Sequence, residues 1–178
     1  MPALKHWLYM KEVLIVAEWT ALKNIDPHCF ACGQGNAHGL HMRFFSDGER
    51  VRSRLIIPGH LRGWHTLVHG GVLATILDEA MSWAAIHLTG RFILTQEMTV
   101  RFKKPVRIEE EVRVESCVAE RISPRKALLK AEIRNSSGDI CAESSGVFAL
   151  FTAEAFTRMN LVPENMLDAM NQSMWRSA

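Results

Sequence analysis

The run from Val72 to about His87, VLATILDEAMSWAAIH, constrains the fold of this chain more than any other segment. It is too long for a single strand, it is almost continuously apolar, and Gly90 follows as a C-terminal stop, which together predict one long helix. Its clearly polar positions between Val72 and Trp83 are Thr75, Asp78, Glu79 and Ser82. Offsets of three, four and seven place them on one narrow stripe. A helix apolar around the rest of its circumference must be wrapped by other structure, since a surface helix would show a broad charged face.

Alternating segments on both sides supply the wrapping. Leu40 to Phe45 and Arg50 to Ile57 flank a Ser46-Asp47-Gly48-Glu49 turn, and the second run alternates Val51, Ser53, Leu55 and Ile57 with Arg50, Arg52 and Arg54. This pattern predicts a half-buried hairpin. After the helix, Met98, Val100 and Phe102 alternate with polar residues, as do Val112, Val114, Ser116 and Val118, while Ala127, Leu129, Ala131 and Ile133 form the next alternating set. A turn at Asn135-Ser-Ser-Gly138-Asp leads to a final strand from Ile140 to Phe151. Short turns favour antiparallel neighbours, so the expected class is α+β: a hairpin, one long central helix, and four consecutive antiparallel strands in a curved sheet around it.

With 178 residues, 48% of them hydrophobic, the chain suits a single core. No internal repeat or linker divides it. Residues 1–27 and 153–178 are expected as helical extensions of a domain spanning 28–152. The N-terminal MPALKHWLYMKEVLIVAEWTALKN is broken by Lys5, Lys11, Glu12 and Glu18, so it reads as an amphipathic helix rather than a signal peptide or a membrane span. Basic and acidic side chains, 21 against 19, are interspersed, which argues against a nucleic-acid partner and leaves a small molecule or a second copy of the chain. Four cysteines beside nine methionines make no disulfide framework, and a reducing, cytoplasmic setting is expected.

Three stretches carry a family likeness: His69-Gly70-Gly71, then Leu77-Asp78-Glu79-Ala80, then Thr95-Gln-Glu-Met-Thr-Val-Arg-Phe-Lys-Lys-Pro105. In combination they resemble the PaaI-like branch of hotdog-fold acyl-CoA thioesterases. Cys29-Phe-Ala-Cys32-Gly33, followed by Asn36 and Gly39-Leu40, is similar to a segment many of those proteins carry. The likeness covers roughly residues 28 to 151. It implies hydrolysis of an acyl-CoA thioester without a cofactor or a catalytic metal, by a homodimer or dimer of dimers with sites at subunit interfaces. It further implies an oxyanion-binding N–H at Gly70, with His69 holding the turn or the carbonyl. The catalytic carboxylate would be Asp78, and Thr95 would supply a hydroxyl that positions water. Some relatives carry an asparagine six residues before the histidine; here that position is Gly63, and Trp64 or His65 is expected to line the pocket instead, with Gly71 beside them.

Elementary chemistry points the same way. Thioester hydrolysis develops negative charge on the carbonyl oxygen and needs a base or nucleophile at the carbon. A helix N-terminus offers unpaired N–H groups and a favourable dipole, and glycine allows close approach to the main chain. Gly70 and Asp78, eight residues apart, lie about 12 Å apart along a helix. One thioester cannot touch both, so Asp78 must come from a second copy whose helix runs antiparallel across a two-fold axis. An aspartate in an apolar cleft can attack the carbonyl or activate water; activated water is placed first. Glu79 is the second candidate carboxylate.

Arg101, Lys103, Lys104, Arg125 and Lys126 are candidates for coenzyme A phosphates, against the plainer role of solvated charge. Cys29 and Cys32 with His28, His38 and His41 have the residue types of a zinc site. Against that, Gly33, Gly35 and Gly39 read as a tight loop over the acyl pocket, and no metal is assigned. Rival readings are an acyl-CoA sensor without turnover, a dehydratase or hydratase on acyl thioesters, and a thioesterase for acyl carrier protein.

Overall fold

The computed structural model describes residues 18–24 and 26–174. The apolar run forms helix α1, Gly70–Thr89, capped by His69 at its start and closed by Gly90, whose φ of 62° is the left-handed conformation that glycine adopts freely. Ile76, Leu77, Ala80, Met81, Ala84 and Ala85 of α1 are fully buried. They meet the inward residues of the sheet, among them Val51, Ile57, Val112, Val114, Leu129, Ile133, Phe148 and Leu150. Each large aliphatic side chain so buried contributes about 1.5–3 kcal/mol relative to exposure.

Seven strands wrap the helix: β1 Thr20–Ala21, β2 Phe44–Ser46, β3 Arg50–Ile56, β4 Phe92–Phe102, β5 Glu111–Ser123, β6 Lys126–Asn135 and β7 Ile140–Phe151. The described residues form one antiparallel sheet in the order β1-β2-β3-β5-β6-β7-β4. This is the α+β architecture expected, with one difference. β4 does not neighbour β5 but lies at the far edge beside β7. The chain crosses between them through residues 103–110, which pair with the loop before α1: Val68 N–H donates to the Val106 carbonyl at 2.9 Å and Ile108 N–H to that of Thr66 at 3.0 Å. A long connection can therefore pass over the mouth of the helix with its backbone hydrogen bonds satisfied.

Of the expected N-terminal helix, residues 1–17 lie outside the described residues, and Thr20–Ala21 pair with Phe45 and Ser46 instead of coiling. That short strand covers the open edge of β2, and the Arg52 guanidinium lies 3.8 Å above the centre of the Trp19 ring. Beyond the sheet, α2 (Ala153–Arg158) is capped by the Thr152 hydroxyl and α3 (Glu164–Met174) follows; Phe156 and Leu167 pack with Phe92 in a second small core. Among the described residues no helix is long and apolar enough to cross a membrane.

Candidate active site

At the mouth of α1, His69 holds an extended backbone, and its Nδ1 accepts the Gly71 N–H at 2.9 Å. Val72 and Leu73 direct their N–H groups to the His69 carbonyl. Among the described residues this leaves the Gly70 N–H as the first-turn donor without an acceptor. The His69 side chain thus organises the turn, and the Gly70 N–H is left at its mouth. Beside it opens a cleft of about 300 Å³ lined by Leu67, Val68, Gly70, Leu73, Phe102 and residues 103–106. A Cβ on Gly70 would lie 3.5 Å from the Phe102 ring, so this face of the backbone looks into the cleft. Gly63 also has a local reason: a Cβ there would sit 3.0 Å from the His69 Cα, so a larger residue would push the cap aside.

Two turns further along α1, the half-buried Asp78 accepts a hydrogen bond from the Thr95 hydroxyl at 2.9 Å. Thr95 is the carboxylate's hydrogen-bonding partner among the described residues, and no cation pairs with it there. A β-bulge in the β4–β7 ladder falls between Thr95 and Glu97, and such an irregularity re-aims neighbouring side chains. Burial raises the Asp78 carboxyl above the usual carboxylate range, partly opposed by the Thr95 hydrogen bond. A carboxylate of raised proton affinity beside a hydroxyl that can orient water has the make-up of a general base.

Glu79 parts company with its neighbour. Consecutive helical residues are about 100° apart, and while Asp78 turns to β4, Glu79 turns to the loop before β2. The Trp83 indole N–H donates to its Oε1 at 3.1 Å, and Cys29 Sγ lies 3.8 Å from the same oxygen. Burial, followed by the Cys29 charge, raises the Glu79 carboxyl to about 7. The polar stripe is therefore two separate sites. Trp83, stacked on Phe44 with ring centres 5.2 Å apart, is core packing with a polar edge. Trp7 and Trp175 lie outside the described residues.

The remaining expected site residues are scattered within one chain. Trp64 is 83% exposed, and His65, exposed with φ of 43°, sits beside it; neither lines the cleft at Gly70. Gly71 is at the helix mouth, but its N–H is committed to His69. Lys103 lines the cleft and pairs with Glu143 at 2.7 Å, and Lys104 pairs with Asp139 at 2.9 Å. Arg101 belongs to a separate groove of about 450 Å³ with Arg50, Glu115, Lys130 and Glu132. Arg125 and Lys126 are at the β5–β6 turn, where Lys126 faces Ala149, whereas Arg101 faces Glu143. Six residues of strand separate those levels, about 20 Å. One chain does not gather these cations into a single patch.

The histidines proposed as companions of Cys29 and Cys32 also lie elsewhere. His41 Nε2 is 2.6 Å from the Asn36 carbonyl, and His38 is exposed. The cluster with metal-ligand character consists of Cys29, Cys32 and Glu79, whose ligand atoms all lie within 4.8 Å of one another. Reading the sequence missed this partnership; its visible part was the C-x-x-C-G turn, whereas the Glu79 contact spans 50 positions.

The thioesterase superfamily model matches residues 65–142, a segment that includes His69, Gly70, Asp78 and Thr95. Acyl-coenzyme A thioesterase THEM4 of Xenopus laevis is 33% identical over 93 residues, 52% of this chain and 41% of that protein. Its Bos taurus counterpart is 26% identical over 122 residues, 67% of this chain and 49% of that protein. The chain thus spans less than half the length of these curated relatives. Among solved structures, a thioesterase superfamily protein superposes with a TM-score of 0.64 at 25% identity, covering 71% of this chain and 62% of that one. The E. coli PaaI protein from the phenylacetic acid degradation operon shares the fold, with a TM-score of 0.58 at 17% identity over 64% of this chain and 81% of that one.

Proposed function

We propose that this chain, which matches the thioesterase superfamily model over residues 65–142 and shares the hotdog fold of solved thioesterases, hydrolyses acyl-coenzyme A thioesters at a site shared between two copies. The observation that carries the proposal is the hydrogen bond from Thr95 of β4 to Asp78 of a helix whose N-terminal Gly70 N–H has no acceptor among the described residues. Gly70 of one copy polarises the thioester carbonyl. Asp78 of the other removes a proton from water held by Thr95 as the water oxygen bonds to the carbonyl carbon and the C=O electron pair moves to oxygen. Collapse of that oxyanion expels the thiolate, breaking the C–S bond, and the thiolate takes the proton from Asp78.

Two features support the shared site. The helical separation of about 12 Å keeps Gly70 and Asp78 of one chain from one carbonyl. Among the described residues β4, eleven residues long, is the outer strand beside β7, with Leu94 and Phe102 exposed, and an edge of this length without a neighbour among them favours pairing with another chain. An antiparallel arrangement of two helices would also bring Lys103 of one copy and the β5–β6 turn with Arg125 and Lys126 of the other to the same end of the pair, near the phosphates of the thiol carrier.

The test is thiol release over a panel of acyl-CoA compounds, with acyl carrier protein thioesters in parallel. Wild type is expected to turn over coenzyme A thioesters and Asp78→Asn to lose about 10²–10⁴-fold in kcat. Equal rates for the two proteins, or ligand-dependent stabilisation with no thiol released, would overturn the reading.

A further inference from the structure

We propose that Cys29, Cys32 and Glu79 bind one divalent zinc-type cation, which fastens the loop before β2 to α1. This inference concerns a site turned away from Asp78 and does not depend on the proposed hydrolysis.

The geometry is that of a preformed ligand set. A tetrahedral zinc with Zn–S of about 2.3 Å and Zn–O of about 2.0 Å holds sulfur and oxygen about 3.5 Å apart and two sulfurs about 3.8 Å apart. Here Cys29 Sγ and Glu79 Oε1 are 3.8 Å apart, and the three ligand atoms lie within 4.8 Å of one another. A small contraction about a central ion completes three bonds and leaves a fourth position for water. Cys32 is buried and Cys29 half-buried, so the site is enclosed yet has a way in.

The loop is shaped for such a turn. The Cys32 N–H points at Cys29 Sγ at 3.5 Å, the Gly33 N–H donates to the Cys29 carbonyl at 3.0 Å, and the Asn24 side-chain amide donates to the Cys32 carbonyl. A Cβ at Gly33 would fall 2.5 Å from the carbonyl oxygens of both Cys29 and Pro27, so only glycine lets the chain fold back this tightly after the second cysteine. On the helix side, the Trp83 indole N–H holds one Glu79 oxygen in place. Orienting contacts of this kind are a regular companion of metal ligands.

Glu79 is half-buried, and no Lys, Arg or His is paired to it among the described residues, so its carboxylate is free of a competing salt bridge and open to a cation. Binding would replace the two thiol protons, which leave to solvent, by one divalent ion shared among two thiolates and the carboxylate.

Metal content of the full-length protein, purified without chelator, is expected to approach one zinc per chain. Reduced, metal-free wild type titrated with Co²⁺ should develop a sulfur-to-cobalt charge-transfer band that saturates at one equivalent and is abolished by Zn²⁺. Cys29→Ser, Cys32→Ser and Glu79→Gln should each weaken Co²⁺ binding by about tenfold or more, whereas Cys141→Ser, in a strand away from the site, should not. Circular dichroism of each variant separates loss of a ligand from loss of fold, and the wild-type titration decides the matter if a variant does not fold. Folded, reduced wild type that gives no such band and carries no metal would overturn the proposal, as would binding indifferent to all three substitutions or a Cys29–Cys32 disulfide as the resting state of protein kept under reductant.

Discussion

Among single residues Gly70 stands out, because His69 takes the neighbouring N–H donors and leaves this one without an acceptor among the described residues, on a residue that lines the cleft. A methyl group there meets the Phe102 ring at 3.5 Å, an ordinary contact, so Gly70→Ala is expected to fold with stability changed by less than about 1 kcal/mol. The same methyl narrows the approach to the donor, and kcat/KM is expected to fall about tenfold or more, as misplacement of a reacting group by a fraction of an ångström does. Thiol-release kinetics beside a denaturant titration would read both numbers. Asp78 and Glu79 show what residue patterns convey and what they omit. That a carboxylate in an apolar helix needs a reason is visible from composition alone. Which of two adjacent carboxylates faces which partner is not, because their directions differ by about 100° and the partners, Thr95 and Cys29, come from 17 and 50 positions away.

Helix α1 carries Gly70, Asp78 and Glu79, so its packing sets how these three are placed. Ile76, fully buried, occupies the turn between Gly70 and Asp78. Ile76→Ala should cost about 2–5 kcal/mol in equilibrium denaturation, the range for a large aliphatic residue removed from a close-packed core; a cost under about 1 kcal/mol would mean the sheet does not wrap the helix as described. The helix itself was legible from Val72 onward because apolar length, a turn-forming start and the Gly90 stop agree. The β3 alternation was equally plain, with Val51, Ser53, Leu55 and Ile57 all buried. The place of β4 was not. Its alternation identifies a strand, but its neighbour is set by where residues 103–110 pair, a long-range matter that local pattern cannot carry. The hairpin's first strand, expected from Leu40, is shortened to Phe44–Ser46 because the preceding residues are tied to the cysteine loop, with Leu40 and Met42 donating to the carbonyls of Phe30 and Ala31.

At the level of the whole molecule, the proposed dimer gives each chain two half-sites, and a working site needs Gly70 from one copy and Asp78 from another. Mixing two variants tests this most directly: Asp78→Asn, which keeps the N–H donor, and Gly70→Val, which fills the mouth of the cleft but keeps the carboxylate. Each is expected to be nearly inactive alone. In a statistical mixture half of the dimers are heterodimers with one intact site each, so unfolding and refolding the two together should restore about one quarter of wild-type thiol release per chain. Confirmed mixed dimers with no more activity than either variant alone, or full activity from a protein shown by sedimentation to be monomeric, would contradict the account.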